Sequence, residues 1–226
     1  HFHVIQELNR RVDRVRIRVQ NRFRKTIKTL KPKENNKTIT PEEIVELEEA
    51  SRYYYVLKKF NWLLASTNKK ILDVNVERRF NHRLNRYLNY SEILAYMLAI
   101  DDELEEAFYL RNDVTYFYDH CTYDTAKKQL EKIIIDFRSS TVAEVSPFAN
   151  TLTNWKKEII NSFIIVDDKA NRKMNTAIVE NRNKSIKLLK HASNGYLNWE
   201  RFRNRILYTL NEDTTFYYTS IRKDGK

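Results

Sequence analysis

The first thirty residues carry a long stripe of apolar side chains. These apolar positions recur in steps of three and four, and they are Ile5, Leu8, Val12, Val15, Val19, Phe23, Ile27 and Leu30. The shorter alternation RVRIRVQ also fits a β-strand, but it lasts only seven residues. Because the helical period extends over the whole stripe, the pattern predicts one long amphipathic helix from Ile5 to Leu30.

A second stripe on this predicted helix is basic. Its members follow the same helical spacing, and they are Arg11, Arg14, Arg18, Arg22 and Lys25. A row of cations is either a solvated helix face or a contact surface for a polyanion. The spacing by itself favours the solvated face, because exposed charges are common and each contributes little to stability.

The next segment, residues 31–40 (KPKENNKTIT), is polar and contains Pro32, so we predict a loop there. Thr40, Pro41 and Glu43 then form a strong helix start, with a capping threonine, a proline in the first turn and a glutamate that reaches back to the cap. This helix is predicted to extend to about Ser66. The side chains that we expect it to bury are Ile44, Leu47, Tyr54, Leu57 and Leu64.

Further apolar stripes predict helices through the middle of the chain. These helices cover residues 76–88, 91–110 with Ser91 as the cap, 124–138, and 147–166 with Ser146 as the cap. The second of them is acidic, and its carboxylates are Asp101, Asp102, Glu103, Glu105 and Glu106. Consecutive carboxylates on a helix point in different directions, so a solvated or intramolecularly paired surface is favoured over a metal cluster.

The C-terminal part is predicted to contain two helices joined by one tight corner. The polar face of the first consists of Glu180, Asn183, Lys184, Lys187 and His191, and its buried stripe consists of Val179, Ile186 and Leu189. Gly195 is free to adopt the left-handed conformation that ends a helix, and Asn198 can cap the next one. The second helix is expected to point Trp199, Phe202, Ile206 and Leu210 inward and Arg201 and Arg205 outward.

Composition indicates a basic, helical chain. Lys and Arg total 41 against 30 Asp and Glu, for a formal net charge of +11, and the clustered arginines favour nucleic-acid phosphate over a small acidic substrate, while the charge alone does not choose between a polyanion partner and a solvated surface. With only 2 Gly and 3 Pro, sharp turns are few and a mainly α fold is predicted. Aromatic residues make up 12% and mostly fall at helical spacing, which favours core packing over base stacking.

Cysteine content and hydropathy indicate the cellular compartment in which the protein is expected. Cys121 is the one cysteine, which excludes an intrachain disulfide and suits a reducing compartment. No apolar run approaches the roughly twenty residues that cross a bilayer, and the chain opens without the pattern of a signal peptide. We therefore expect a soluble, cytoplasmic protein without a membrane partner.

Glu180 is the one acidic side chain on a helix whose other charges, up to Lys190, are basic. One interpretation is an ordinary surface ion pair with Lys184, four residues on, and the spacing by itself favours it. The alternative is a carboxylate with a role in binding or chemistry.

The sequence segments around Glu180 resemble those of a known protein family. The segment ENRNKSIKLLK (180–190), followed by NGYLNW (194–199) and RFRNR (201–205), closely resembles the end of the DDE domain in bacterial insertion-sequence transposases of the ISL-three type. The opening HFHVIQELNRRVDRVR looks like the family segment that follows the second catalytic aspartate. TNWKKEIINSF (153–163) is similar to the helix that precedes the glutamate. Where many members have Asn-Gly before the glutamate and Gly after it, this chain has Ala177 and Asn181.

The resemblance implies a role for Glu180 and an organisation for the chain. Glu180 corresponds to the last member of the Asp-Asp-Glu triad and so to a Mg²⁺ ligand, while both aspartates would lie ahead of His1. The fold implied is the helical portion of a ribonuclease-H-like DDE domain, with most of the β-sheet absent from this chain. Residues 1–30 would form a basic helix, residues 31–146 a helical insertion, and residues 147–226 the C-terminal helices that carry the glutamate.

The function implied is metal-dependent cutting and joining of transposon DNA, in which this chain alone would be inactive. The implied partners are transposon ends, target DNA and further copies of the full-length protein, in the bacterial cytoplasm at the nucleoid. The DNA-binding candidates are Arg11, Arg14, Arg18, Arg22, Asn183, Lys184, Lys187, Lys190, Arg201 and Arg205. Two alternatives stay open, a non-catalytic DNA-binding remnant or domesticated module, and a structural helical interaction protein.

Overall fold

The structure is a computed structural model that describes residues 2–167, 172–173, 177–193 and 195–210. The chain divides into two compact units, His1–Lys173 and Met174–Lys226. Within the described residues most of the chain is helical, and the strands form two short antiparallel pairs. The prediction of a mainly α chain is therefore confirmed.

The helices and strands follow one another in a simple order. The first unit contains α1 (Phe2–Asn35), α2 (Pro41–Lys59), a 3₁₀ turn (Asn61–Ala65), β1 (Arg79–Asn81), β2 (Arg86–Leu88), α3 (Tyr90–Leu98), α4 (Asp102–His120), α5 (Tyr123–Ser139), α6 (Phe148–Asn154), α7 (Lys156–Asn161), β3 (Ile165–Asp167) and β4 (Arg172–Lys173). The second unit contains α8 (Ala177–Ala192) and α9 (Trp199–Leu210).

Helix α1 is the longest element, and its apolar stripe is buried as predicted. Leu8, Val12, Val15 and Val19 are all 2% exposed or less. The stripe packs against α2 and α4, while α5 packs against α4, α6 and α7. One continuous apolar core therefore runs through the first unit.

Helix α1 also extends beyond the predicted end at Leu30, so the loop predicted for residues 31–35 is wrong. Pro32 lies inside the last turns, where it removes one backbone hydrogen bond while its own carbonyl still accepts from the Asn36 N–H at 3.1 Å. The helix ends at Asn35, and just beyond it Lys37 adopts a left-handed φ of 56° and the Thr38 N–H donates to the Lys33 carbonyl at 2.9 Å.

Helix α2 begins as predicted and ends early. The Glu43 N–H donates to Thr40 Oγ1 at 3.3 Å and the Thr40 N–H donates to Glu43 Oε2 at 3.1 Å, which completes the capping box. The α-helix stops at Lys59, and the predicted continuation to Ser66 is a 3₁₀ turn. Leu47, Leu57 and Leu64 are buried as expected, whereas Tyr54 is half-buried and Ile44 is exposed.

The helix predicted for residues 76–88 is instead a β-hairpin. Asn81 Oδ1 accepts from the Arg83 and Leu84 N–H groups, at 3.1 Å each, and Asn85 adopts a left-handed φ of 50°. Asparagine stabilises such turns through its side chain and tolerates this φ. The turn chemistry thus overrides an apolar spacing of four residues, which here extends over too few residues to identify a helix.

Two other predicted helices are each divided. Residues 91–110 form the end of α3 and the start of α4, because Asp101 caps a new helix by accepting from the Leu104 N–H at 3.0 Å. The cap of α3 is Asn89, which accepts from the Glu92 N–H at 2.9 Å, and not Ser91. The helix predicted for residues 147–166 is interrupted at Trp155, which divides it into α6 and α7, and its last residues belong to β3. The Ser146 side chain does not cap α6.

Arg111 of α4 is buried in the core of the first unit, with 2% of its surface exposed. Its guanidinium donates to Asn9 Oδ1 at 2.9 Å, to Asn112 Oδ1 at 2.9 Å and to the Ala65 carbonyl at 2.7 Å. Burial lowers the pKa of this arginine. The side chain therefore ties α1 and the end of the 3₁₀ turn to α4 through directional hydrogen bonds.

We predict that Arg111→Ala destabilises the protein by about 3 kcal/mol, because it leaves buried acceptors unsatisfied and opens a cavity. Arg111→Lys should recover part of this loss, since it fills the volume but provides a single donor group. Urea unfolding measures both, with the exposed Arg14→Ala as the matched control, expected within about 0.5 kcal/mol of the parent. A loss below about 1 kcal/mol for Arg111→Ala would contradict the bridging role.

Candidate functional site

The second unit is a helical hairpin formed by α8 and α9. Helix α8 ends before Gly195, whose φ of 95° lies in the left-handed region and whose N–H donates to the Lys190 carbonyl at 3.0 Å. Asn198 caps α9 by accepting from the Arg201 N–H at 3.0 Å. Both predicted helix signals at this corner are therefore confirmed.

Aromatic packing closes the corner. The rings of Tyr196 and Phe202 stack with centroids 4.7 Å apart, and Ser193 Oγ donates to the Tyr196 hydroxyl at 3.0 Å. Phe202 is buried as predicted, and Ile206 and Leu210 are half-buried. Trp199 is 67% exposed, so its predicted inward position is wrong. The Trp199 ring nevertheless meets Phe202 edge to face, with centroids 6.0 Å apart, so Phe202 contacts both Tyr196 and Trp199.

Glu180 lies in the first turn of α8 and is exposed. At the same end of the hairpin, the Arg182 guanidinium donates to the Leu210 carbonyl, which joins the start of α8 to the end of α9. A carboxylate in the first helical turn interacts favourably with the helix dipole. Glu180 is therefore an exposed residue at a helix end that a hydrogen bond joins to α9.

The side chains of this unit that were predicted to contact DNA are exposed. They are Asn183, Lys184, Lys187, Lys190, Arg201 and Arg205. On the opposite face of α8, Ile186 and Leu189 are half-buried, while the side chain of Val179 lies outside the described residues. Helix α8 thus separates a charged face from a partly buried apolar face, as its sequence period predicts.

The ion pairs found among the described residues do not include one between Glu180 and Lys184. The surface ion pair was the simplest interpretation of Glu180 from spacing alone. Its absence within the described chain leaves Lys184, like Lys187 and Lys190, with its charge directed to solvent.

Glu180 has the chemistry of one magnesium ligand. Mg²⁺ prefers oxygen ligands, and the exposed Glu180 carboxylate is of that type. In the described residues, no group of three or more His, Cys, Asp or Glu side chains is placed to hold a metal ion. Glu180 therefore fits as one ligand of a shared site, and the described chain does not supply a full ligand set.

The arginine row of α1 is divided between arginines that are paired within the first unit and arginines that face solvent. Arg11 donates to Glu7 Oε1 at 3.1 Å and to the Glu144 carbonyl at 3.0 Å, and it lies 5.6 Å from the centre of the Phe148 ring. Only 17% of its side chain is exposed. Arg11 is thus engaged within the first unit.

Arg18 and Arg22 are also engaged within the first unit, by two carboxylates of the acidic stretch and by Glu144. Arg18 donates to Glu144 at 2.7 Å and also pairs with Glu103, and Arg22 pairs with the capping carboxylate of Asp101. These ion pairs raise the pKa of Arg18 and lower that of Glu144. The interpretation of the acidic stretch as an intramolecularly paired surface is confirmed for its first and third members.

A different set of cations on α1 faces solvent. Arg14 is exposed and takes part in none of the ion pairs of the described chain. Its exposed basic neighbours farther along the helix are Arg24, Lys25 and Lys28. The solvent-facing cations lie away from the apolar stripe, whereas Arg11, Arg18 and Arg22 lie beside residues that pack against α4 and the 142–146 turn.

Comparison with known families identifies the chain. The model of the ISL-three-type DDE family, described as a transposase, matches residues 1–206. The chain belongs to this transposase family. No individual curated protein and no solved structure matches it. Family membership implies that DNA is what the transposase acts on, and no helix among its described residues is long and apolar enough to cross a membrane.

The two classes of arginine on α1 of this transposase should respond differently to substitution. We expect Arg14→Gln to lower the affinity for duplex DNA and to reduce the salt dependence of binding by about 0.9 in log–log slope, with unchanged stability. Arg18→Gln should instead reduce the free energy of unfolding by about 1 kcal/mol and leave that slope unchanged. Binding titrations at several salt concentrations and urea unfolding measure both. The opposite assignment, with Arg18→Gln reducing the slope at full stability, would contradict the division.

The ion pair between Arg18 and Glu144 should also affect how the free energy of unfolding changes at acid pH. Because Arg18 lowers the pKa of Glu144 from its ordinary 4.5, the pair contributes stability above that value. The contribution is lost as the pH falls through the lower, folded-state pKa. Unfolding measured between pH 6 and pH 3 should therefore show a smaller decline for Glu144→Gln than for the parent. If the free energy of unfolding fell equally with pH in both proteins, the Arg18–Glu144 pair would not contribute this stability.

Proposed function

We propose that this chain is the C-terminal part of a DDE transposase and that Glu180 is a metal-binding carboxylate for cutting and joining transposon DNA. The family match over residues 1–206 supports the class of enzyme. The observation that carries the assignment of the residue is an exposed carboxylate at the start of α8, on a surface whose neighbouring charges are basic. In that setting the carboxylate would bind the metal ion, and the neighbouring cations would bind the DNA phosphates on which the metal ion acts.

The proposed chemistry is phosphoryl transfer at a DNA phosphodiester. When bound, Mg²⁺ would activate water or a freed 3′-hydroxyl for in-line attack and would stabilise the leaving oxygen. Glu180 would contribute an anionic oxygen ligand from the first turn of α8. Lys184, Lys187 and Lys190 would neutralise phosphates along the bound strand, which gives affinity that depends on salt and not on base sequence.

The remaining ligands are proposed to come from outside this chain. In the family pattern two aspartates precede the segment that begins here, and we propose that they complete the site on a ribonuclease-H-like sheet. A lone carboxylate supplies one ligand, whereas Mg²⁺ takes an octahedral set. We accordingly propose that this chain alone binds DNA but does not cut it. The complete enzyme would act as a homo-oligomer on transposon ends and target DNA in the bacterial cytoplasm, associated with the nucleoid.

The test is Glu180→Gln in two contexts. In this chain alone we expect folding and DNA binding to be nearly unchanged, or binding to be slightly tighter, since one negative charge leaves a basic surface. In a full-length transposase that carries both aspartates, the same change should lower Mg²⁺-dependent strand cleavage and joining by at least about a hundredfold while DNA binding persists.

Glu200→Gln is the matched control, because Glu200 is an exposed carboxylate in the first turn of α9. It should leave cleavage and joining within about twofold of the parent. A full-length Glu180→Gln protein that cleaves transposon ends at nearly the parental rate would show that Glu180 is not a metal ligand. A fall of equal size for both substitutions would indicate a general effect of surface charge.

A further inference from the structure

The β1–β2 hairpin presents two aromatic rings on its outer face. Phe80 and Tyr87 are directly paired across the strands, and their ring centroids are 5.1 Å apart at an interplanar angle of 56°. Tyr87 is 67% exposed and Phe80 is 40% exposed. Exposed rings also occur on the helices of the first unit, such as Tyr109 and Tyr116, but Phe80 and Tyr87 form a cross-strand pair, which differs from the core packing that helical spacing predicted for the aromatics.

The hairpin is anchored, so that the exposed rings are held in place. Leu84, at the turn, is 7% exposed and belongs to the apolar core, and Leu88 packs against that core from the inner face. On the outer face, the His82 ring meets Phe80 edge to face at 4.9 Å. Phe80 is thus covered from two sides, while Tyr87 presents the larger free surface.

Exposed arginines adjoin the two rings in the sequence of the hairpin, with Arg79 directly before Phe80 and Arg86 directly before Tyr87. Between residues 77 and 87 the chain has four arginines and one glutamate. Arg78 pairs with Glu92, its Nε lying 3.0 Å from Oε2. Arg79, Arg83 and Arg86 are exposed, and the ion pairs of the described residues include none of the three. The surface combines aromatic faces with uncompensated cations, which is the combination that binds single-stranded nucleic acid.

We propose that the β1–β2 hairpin binds unpaired DNA, with a base stacked on Tyr87 and with Arg79, Arg83 and Arg86 at the neighbouring phosphates. The observations favour an unpaired strand because the faces of bases in a duplex are covered by their neighbours, whereas an unpaired base can stack on an exposed ring. Arginines alone would suffice for duplex phosphates, and they would not account for the exposed aromatic pair.

The proposal rests on DNA as the substrate of the transposase, and it does not require Glu180 to bind a metal ion. Cutting and joining exposes strand ends, and a base-stacking surface on the helical insertion could hold such an end. The hairpin would then add a contact for strand ends to the phosphate contacts proposed for α8.

Fluorescence anisotropy with the whole chain, in the absence of divalent cations, tests this surface. The probes are an oligothymidylate and a duplex of equal length. Tyr87→Ala should weaken binding of the single strand by about five- to a hundredfold, the range found for loss of one base-stacking ring. Binding of the duplex should change less than about twofold. Tyr87→Phe should retain binding of the single strand, because the ring face remains.

Tyr109→Ala is the matched control, since Tyr109 on α4 is 54% exposed and lies outside the hairpin. It should leave both affinities unchanged. Arg83→Gln provides a second variant that keeps the aromatic pair, and it should reduce the salt dependence of single-strand binding by about 0.7 in log–log slope.

Three results would overturn the proposal. They are a parent chain that does not bind the oligothymidylate, a Tyr87→Ala chain that binds it as the parent does, and an equal loss for single strand and duplex. Because no cleavage is measured, these outcomes are independent of the Glu180 test.

Discussion

The burial of the α1 apolar stripe is the interaction on which the first unit depends. A helix of 34 residues gains its stability in a protein from tertiary packing of one face more than from intrinsic propensity. Here that face lies against α2 and α4, with Leu8 and Val15 fully buried. Burial of this face also fixes the directions in which the polar side chains of α1 point, because all of them project from the same rigid helix.

The arginines of α1 illustrate this dependence. Arg11, Arg18 and Arg22 lie near the edge of the apolar stripe, so packing brings them beside Glu144, Glu103 and Asp101. They therefore act within the protein, although their spacing resembles that of a DNA-binding row. The excess of positive charge appears elsewhere, on the far side of α1, on the β1–β2 hairpin and along α8. A net charge of +11 thus indicates a polyanion partner without indicating which cations meet it.

The α8–α9 hairpin separates two kinds of residue in a similar way. Phe202 and Tyr196 form the small apolar contact that closes the corner, and the Arg182 guanidinium ties the other end. The charged side chains of α8 remain exposed between these two fixed points. The exposed position of Glu180 is the basis on which we propose it as a metal ligand of this transposase.

The sequence by itself determined the elements whose signals are local and long. The stripe of α1, the capping box of α2, the extent of α5 and the corner at Gly195 and Asn198 were all predicted, as was the position of Glu180 on an exposed basic helix face. Helical periodicity over many residues and side-chain caps depend on near neighbours, so they can be read without the fold.

Tertiary structure alone decided which charges are paired and which aromatic rings are exposed. The ion pair between Arg18 and Glu144 joins residues that are 126 positions apart, and no local pattern encodes such a distance. The hairpin at residues 79–88 was mistaken for a helix because three apolar residues fit either period, and the asparagine turn together with burial of Leu84 selected the strand pairing. Tyr87 is exposed as a result of that choice, since a cross-strand pair on an outer face points to solvent while its inner neighbour Leu88 packs on the core.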